Sequence, residues 1–415
     1  MRNFRVFAAV LGGQDMVVDD VMIETEPSRG KAPVTSEVLA FEARPKANQA
    51  SRCSRCQKRC PGYDGGGVIG RWRSLDLGTM KAYLQAAAPR VACPEHAVVV
   101  AHVPWARPGA RHTWAVEDTA AWLSAHAAIS VVAVFLRVAW RTIAAIVGRV
   151  VADGRDINDL LAGLTRIGID EIAYRKGHRY VTCVIDHTTG RLVWAAEGRN
   201  QDTLGKFFDQ LGAQRAAALT HVSCDGARWI HAALLDRAPA AVICLDPFHV
   251  VAWALKALDK VRVRTMTAAG VRDRHARWAT RKNPADLTGE QRTSLAAITA
   301  TNATLYRAYL LKEQLREVFR VKGRDGRRLL AGWLSWASHS RSPELVAVAR
   351  TVRRHKELIG NTLDHQLSNA RSEATNTHLR ALTTRAYGFH SPGALIGMAM
   401  LTRGALCPAL PGRAA

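Results

Sequence analysis

At 415 residues the chain is too long for one small core, so several domains are expected. An apolar share of 48% with 22% charged residues is ordinary globular composition and excludes a disordered chain. Lysine and arginine number 58 against 35 acidic residues, and a formal net charge of +23 points to a polyanionic partner, nucleic acid above all. The basic residues are spread along the whole chain, which argues against a membrane-surface helix. The longest apolar runs, such as 131–136, end at an arginine short of spanning length, and the N-terminus has no clear cleavage pattern. Cys183, Cys224 and Cys244, of 8 cysteines, lie inside apolar strand-like runs as small core residues. A reducing, cytoplasmic and nucleoid-associated location is the expectation.

The first region, 1–107, reads as a β-rich module, with runs at 38–43, 71–77, 81–87 and 97–103 divided by turn signals such as Gly65-Gly66-Gly67. It carries two knuckle-like pairs, Cys53-x-x-Cys56 and Cys93-Pro94-Glu95-His96. Thiolates and a neutral imidazole at these spacings suit a structural, tetrahedral zinc ion. Cys60 is a fifth candidate for four places. Region 108–160 is helical, and residues 130–151 read as two short helices around Arg137-Val138-Ala139. In the second, Ile143, Ile146, Val147 and Val150 form an apolar stripe while Arg141, Thr142 and Arg149 face away, as a helix-turn-helix docked in a major groove requires.

From 161 to 260 strands and helices alternate. Strands at 166–170, 180–187, 192–197, 219–225 and 241–246, with helices at 202–211 and 227–236, give the order β-β-β-α-β-α-β-α, a mixed sheet covered by helices. A helical, arginine-rich insertion spans 261–362, and 363–415 returns to the core with a helix at 371–384. Trp333 and Trp336 of the insertion read as packing residues, with stacking on an unpaired base as the alternative.

Asp170 ends the first of these strands in Ile167-Gly168-Ile169-Asp170-Glu171, and Asp225 ends the fourth in Val222-Ser223-Cys224-Asp225-Gly226. If those strands are neighbours, both carboxylates emerge at one place, where oxygen ligands can hold two Mg²⁺ or Mn²⁺ ions for in-line displacement at a phosphodiester. Glu373, on the late helix, is the candidate third carboxylate. Glu171 is expected on the opposite strand face, and Asp186 reads as a structural neighbour. Asn376 and Arg380 share a helix face with Glu373 and are placed to meet strand phosphates.

The stretches from Gly168 to Tyr180 (Gly168-Ile169-Asp170-Glu171-Ile172-Ala173-Tyr174 at its start) and Ser368-Asn369-Ala370-Arg371-Ser372-Glu373-Ala374-Thr375-Asn376 resemble the ISL-three family of bacterial insertion-sequence transposases, which have an RNase H-like core. Asp246-Pro247-Phe248-His249 is similar too, with Pro247 where the family usually carries arginine. The likeness runs from the cysteine pairs to Tyr387-Gly388-Phe389. It implies that Asp170, Asp225 and Glu373 are a metal-binding catalytic triad with Asp246 and His249 beside it. It further implies an all-helical insertion between the second and third acids, a zinc module and a helix-turn-helix ahead of the core. The expected partner is double-stranded DNA, bound at the element's terminal inverted repeats and at a target by a dimer. Two other readings are a non-catalytic, domesticated DNA-binding regulator and a metal-dependent nuclease of the same fold.

Overall fold

A computed structural model describes residues 2–13, 15–27, 35–175, 179–367, 370–386 and 388–413, so that Lys176-Gly177-His178, Ser368-Asn369 and Tyr387 of the motifs lie outside the described residues. The chain packs as two units: Met1–Asp159 with Leu382–Ala415, and Leu160–Ala381.

The first unit opens with helix α1 (Arg2–Val10) and continues through seven strands: β1 (Met16–Pro27), β2 (Thr35–Pro45), β3 (Gly62–Asp64), β4 (Ile69–Arg73), β5 (Lys81–Ala87), β6 (Arg90–Cys93) and β7 (Ala97–Val100). They form two sheets, β1-β2-β5-β4 and β3-β6-β7. Phe41, Ala82, Leu84 and Trp105 are buried on the first sheet. The second is held around Cys53, Cys60 and Cys93. Helices α2 (Trp114–His126), α3 (Ile129–Phe135) and α4 (Trp140–Ile157) follow. The chain turns by 102° between α3 and α4, within the range of a helix-turn-helix. Arg137 makes that turn at a φ of 52°, a left-handed conformation unusual for arginine. Its guanidinium anchors the turn on Asp76 and, at 2.8 Å, on the Thr79 carbonyl. Apart from this bent pair, no helix is long and apolar enough to cross a membrane among the described residues.

In the second unit, strands β8 (Arg166–Arg175), β9 (Arg179–Asp186), β10 (Leu192–Glu197), β11 (His221–Cys224) and β12 (Val242–Leu245) alternate with helices α5 (Gln201–Leu211), α6 (Ala213–Ala217) and α7 (Arg228–Arg237). The sheet order is β10-β9-β8-β11-β12, with β9 antiparallel to β8 and β10 and the β8, β11 and β12 pairings parallel. This is the RNase H-like arrangement. Ile167, Ile169, Val184 and Val222 pack with Leu204, Phe207 and Phe208 of α5 and Ile230 and Leu234 of α7. The first strand is longer than the sequence suggests. Pairing with β9 carries it to Arg175, whereas the β11 pairing stops at Gly168, so Asp170 stands where the parallel partner ends rather than where the strand ends.

Helix α8 (Pro247–Ala268) leaves the core and runs unbroken into the insertion, which comprises α9 (Ala276–Arg281), α10 (Gly289–Thr301), α11 (Ala303–Val321), α12 (Gly323–Ser338), α13 (Pro343–Arg354) and α14 (Lys356–His365). Trp333 is fully buried there and donates to the Leu311 carbonyl at 2.8 Å; Trp336 is partly exposed. At the return, Asn361 and Thr362 donate to the Ile243 and Leu245 carbonyls, covering the edge of β12. Helix α15 (Ala370–Arg385) then carries Glu373, and α16 (Pro392–Arg403) packs on α4 and α2. The stretch 363–415, one piece by sequence, is thus split by packing near Leu382, because α16 buries Leu395, Met398 and Leu401 within the first unit.

Candidate active site and metal centres

The parallel register sets His221 against Arg166, Val222 against Ile167 and Ser223 against Gly168. Continued by two residues, it brings Asp225 level with Asp170. On its other side β11 pairs Cys224 with Leu245, and the Asp246 amide donates to the Cys224 carbonyl at 2.9 Å, so Asp246 comes level with Asp225. Asp225 is fixed by accepting from the Ala227 amide at 2.8 Å. The next position is tight, since a Cβ on Gly226 would lie 3.2 Å from the Trp253 ring and the ring would have to give way. Asp246 caps α8, with Pro247 in the first turn where a missing N–H costs nothing. His249 Nε2 stands 3.8 Å from its carboxylate.

Helix α15 brings the remaining side chains. Asn376 is buried and donates to Asp170 Oδ2 at 2.8 Å, so it grips the acid instead of facing outward. Glu373 lies close enough to Asp170, His249 and Arg380 to feel all three charges.

Burial raises the Asp170 carboxyl and the Asp225 charge adds to this, against the Glu171 amide, His249 and Asn376. Burial likewise pushes Asp246 up to about 6, opposed by His249 and reinforced by Asp170 and Glu373. Glu373 is raised by burial and by Asp170. Glu171 is pushed up to about 7 by burial and the Asp225 charge, although Arg199 holds it at 2.6 Å. Sequence reasoning set Glu171 aside and had no signal for Arg199, which is 28 positions further on.

Glu171 Oε1, Asp246 Oδ2 and Asn376 Oδ1 are buried with no hydrogen-bond donor. A set of crowded carboxylates with raised pKa values and unpartnered oxygens is what a hard divalent cation satisfies. Asp186 plays another part, accepting from Thr188 and Thr189 to close the turn after β9.

The second centre is tighter. Among the described residues, one group of possible metal ligands has all its donor atoms within 4.8 Å of one another: Cys53, Cys56, Cys93 and His96. Cys56 and Cys93 sulfurs are 3.7 Å apart, and His96 Nδ1 is 3.7 Å from Cys53 and 3.6 Å from Cys93. A tetrahedron with Zn–S bonds of ~2.3 Å and a Zn–N bond of ~2.1 Å has edges of about 3.6 to 3.8 Å. Burial raises the Cys93 thiol, but the Glu95 and His96 amides and the neighbouring thiols bring it down to about 7. Cys60 is outside the group, its sulfur 3.3 Å from the Lys58 carbonyl.

On α4, Ile143, Ile146, Val147 and Val150 are buried and Arg141 is exposed, as the sequence suggests. Thr142 is half-buried. Arg149 differs: it turns to Glu117 of α2, at 2.9 Å from Nε. Glu117 is fully buried and a buried carboxylate needs cationic partners, which Arg149 and Arg107 supply.

A zinc ribbon, a helix-turn-helix and an RNase H-like sheet fronted by acids together define the class of DNA-binding transposases. Residues 167–399 match a family described as "Transposase", 49–96 the "zinc-finger of transposase IS204/IS1001/IS1096/IS1165", and 101–151 the "Helix-turn-helix domain of transposase family ISL3". The chain is 46% identical over 441 aligned residues to the transposase for insertion sequence element IS1557 in two strains of Mycobacterium tuberculosis, an alignment covering 100% of this chain and 98% of the relative. It is 28% identical over 231 residues to the transposase for insertion sequence element IS1001 of Bordetella parapertussis, over 54% of this chain and 57% of that one. The chain belongs to the ISL3 family of transposases.

Proposed function

We propose that the protein binds the terminal inverted repeats of a bacterial insertion sequence and catalyses metal-dependent DNA cleavage and strand transfer as a polynucleotidyl transferase. The observation that carries this reading is the β8–β11–β12 register, which lines up Asp170, Asp225 and Asp246, with Glu373 and His249 near enough for their charges to act on this group. Asp170, Asp225 and Glu373 would hold two Mg²⁺ or Mn²⁺ ions, which would supply stabilisation of the attacking and leaving oxygens of the phosphodiester. Asn376 keeps the Asp170 carboxylate aimed. His249 Nε2 stands 3.8 Å from Asp246, and a positive charge there would lower the carboxyls of both Asp246 and Glu373. Water is the first nucleophile and the freed 3′-hydroxyl the second.

Cys53, Cys56, Cys93 and His96 hold one structural zinc ion. Arg141 and Thr142 read the repeat in the major groove, with Arg149 as the residue that fixes α4 on α2. Arg380 meets strand phosphate beside Glu373. By function, 1–107 is the zinc module, 108–160 the reading domain, 161–260 with the start of 363–415 the catalytic core, and 261–362 the insertion. The protein acts as a dimer on DNA in the cytoplasm, associated with the nucleoid.

Replacing Asp170, Asp225 or Glu373 with the matching amide should abolish cleavage and strand joining in Mg²⁺ while repeat binding persists, measured on labelled ends. A variant that cleaves at the wild-type rate removes its residue from the triad. Cleavage without joining identifies a nuclease, and binding without either a regulator.

A further inference from the structure

Phe248 is set between Asp246 and His249 on the first turn of α8, and the residue is 58% exposed. A phenyl ring left in water forfeits the free energy that burial would give. Other exposed aromatics occur, Tyr63, Phe135, Trp278 and Trp336 among them, but Phe248 is the one flanked on both sides by members of the acid cluster. Its position is not loose. Pro247 fixes the backbone angle just before it, and Asp246 Oδ1 accepts from its amide at 3.4 Å. Its ring meets the His249 imidazole edge to face, centroids 5.7 Å apart and planes at 88°. The ring is therefore held by the protein through one aromatic contact while the residue stays more than half exposed.

What covers that ring must come to the acids, and the substrate there is a DNA strand with a flat apolar surface on every base. We propose that Phe248 is a stacking residue that receives a nucleobase next to the cleaved phosphodiester once that base has left its pair. Stacking on an aromatic ring tolerates any base, as suits a position beside an element whose flanks differ from site to site. It offsets part of the energy of unpairing, which a scissile phosphate held by acids at a sheet end would otherwise meet unaided. The inference rests on the acid cluster being where the strand is cut.

The test uses the full chain and duplex ends carrying 5-iodouracil at single positions across the cleavage junction, irradiated without added Mg²⁺ or Mn²⁺ so that no cleavage is needed. A crosslink to the peptide containing Phe248 is expected from one or two positions, lost in Phe248→Leu and kept in Phe248→Trp. In Mg²⁺, Phe248→Ala should cut fully paired ends about 10- to 100-fold more slowly, the range expected for one stacked base. An end mismatched at the crosslinked position should restore most of the rate, because unpairing is then already done. Absence of a crosslink to that peptide, or an equal loss on paired and mismatched ends, overturns the proposal. Asp170→Asn separates the two failures: if it still cleaves, the acid assignment is wrong, while the crosslink reports the path of the strand independently.

Discussion

Glu171 follows Asp170 directly and is buried with one oxygen on Arg199 and the other without a donor. An acid whose folded pKa is raised, here from 4.5 to about 7, binds its proton more tightly folded than unfolded. Its protonated form stabilises the fold fully below the unfolded value, and that contribution is lost as pH rises through the folded one. Glu171→Gln keeps the shape without the charge. Without added Mg²⁺ its stability relative to wild type should climb between pH 4.5 and 8, by about 2 kcal/mol after discounting for partial exposure and the lost Arg199 pair. Urea melts at three pH values would show it, and a pH-independent difference would mean that Glu171 titrates like a solvated acid. At the zinc centre the outcome is discrete. Cys93→Ser should purify with its zinc lost and Cys60→Ser with zinc retained, by metal analysis, since only Cys93 belongs to the close group.

At the scale of elements, α4 leaves Arg141 exposed and ties Arg149 to Glu117 of α2. Arg149→Ala leaves Glu117 buried with Arg107 alone, so it should lower stability by about 2–4 kcal/mol and weaken all DNA binding by loosening the helix. Arg141→Ala should leave the melting temperature unchanged and reduce preference for the repeat over random duplex by about 1–3 kcal/mol in competition titrations. The apolar stripe of α4 is legible in sequence because its period is local, whereas the Arg149–Glu117 pair joins positions 32 apart. The same contrast holds elsewhere. The acids and cysteines announce themselves through short motifs, and the order of strands follows from alternation. Strand β1 escaped notice because Asp19, Asp20, Glu24 and Glu26 make it look like a loop. Asp19, Glu24 and Glu26 are matched across the sheet by Arg44, Arg71 and Lys81, partners that no local window contains. The grip of Asn376 on Asp170 spans 206 positions and is equally invisible.

For the molecule as a whole, the decisive fact is that residues 382–415 pack with 1–159. Leu401 is fully buried on α16, which packs against α4 and α2. Leu401→Ala should cost about 2–5 kcal/mol and speed hydrogen exchange in α2 and α4, while the β8–β9 amides keep their protection. Uniform loss of protection in both units would instead mean that they unfold as one.

Synthesis proceeds from one end only. At about 5–20 residues per second, the surface of α4 that α16 covers waits for the last part of the chain, until some 220 intervening residues have left the ribosome. A product stopped before α16, by a frameshift or a nonsense codon, therefore carries α4 without its cover and should be cleared or aggregate instead of accumulating.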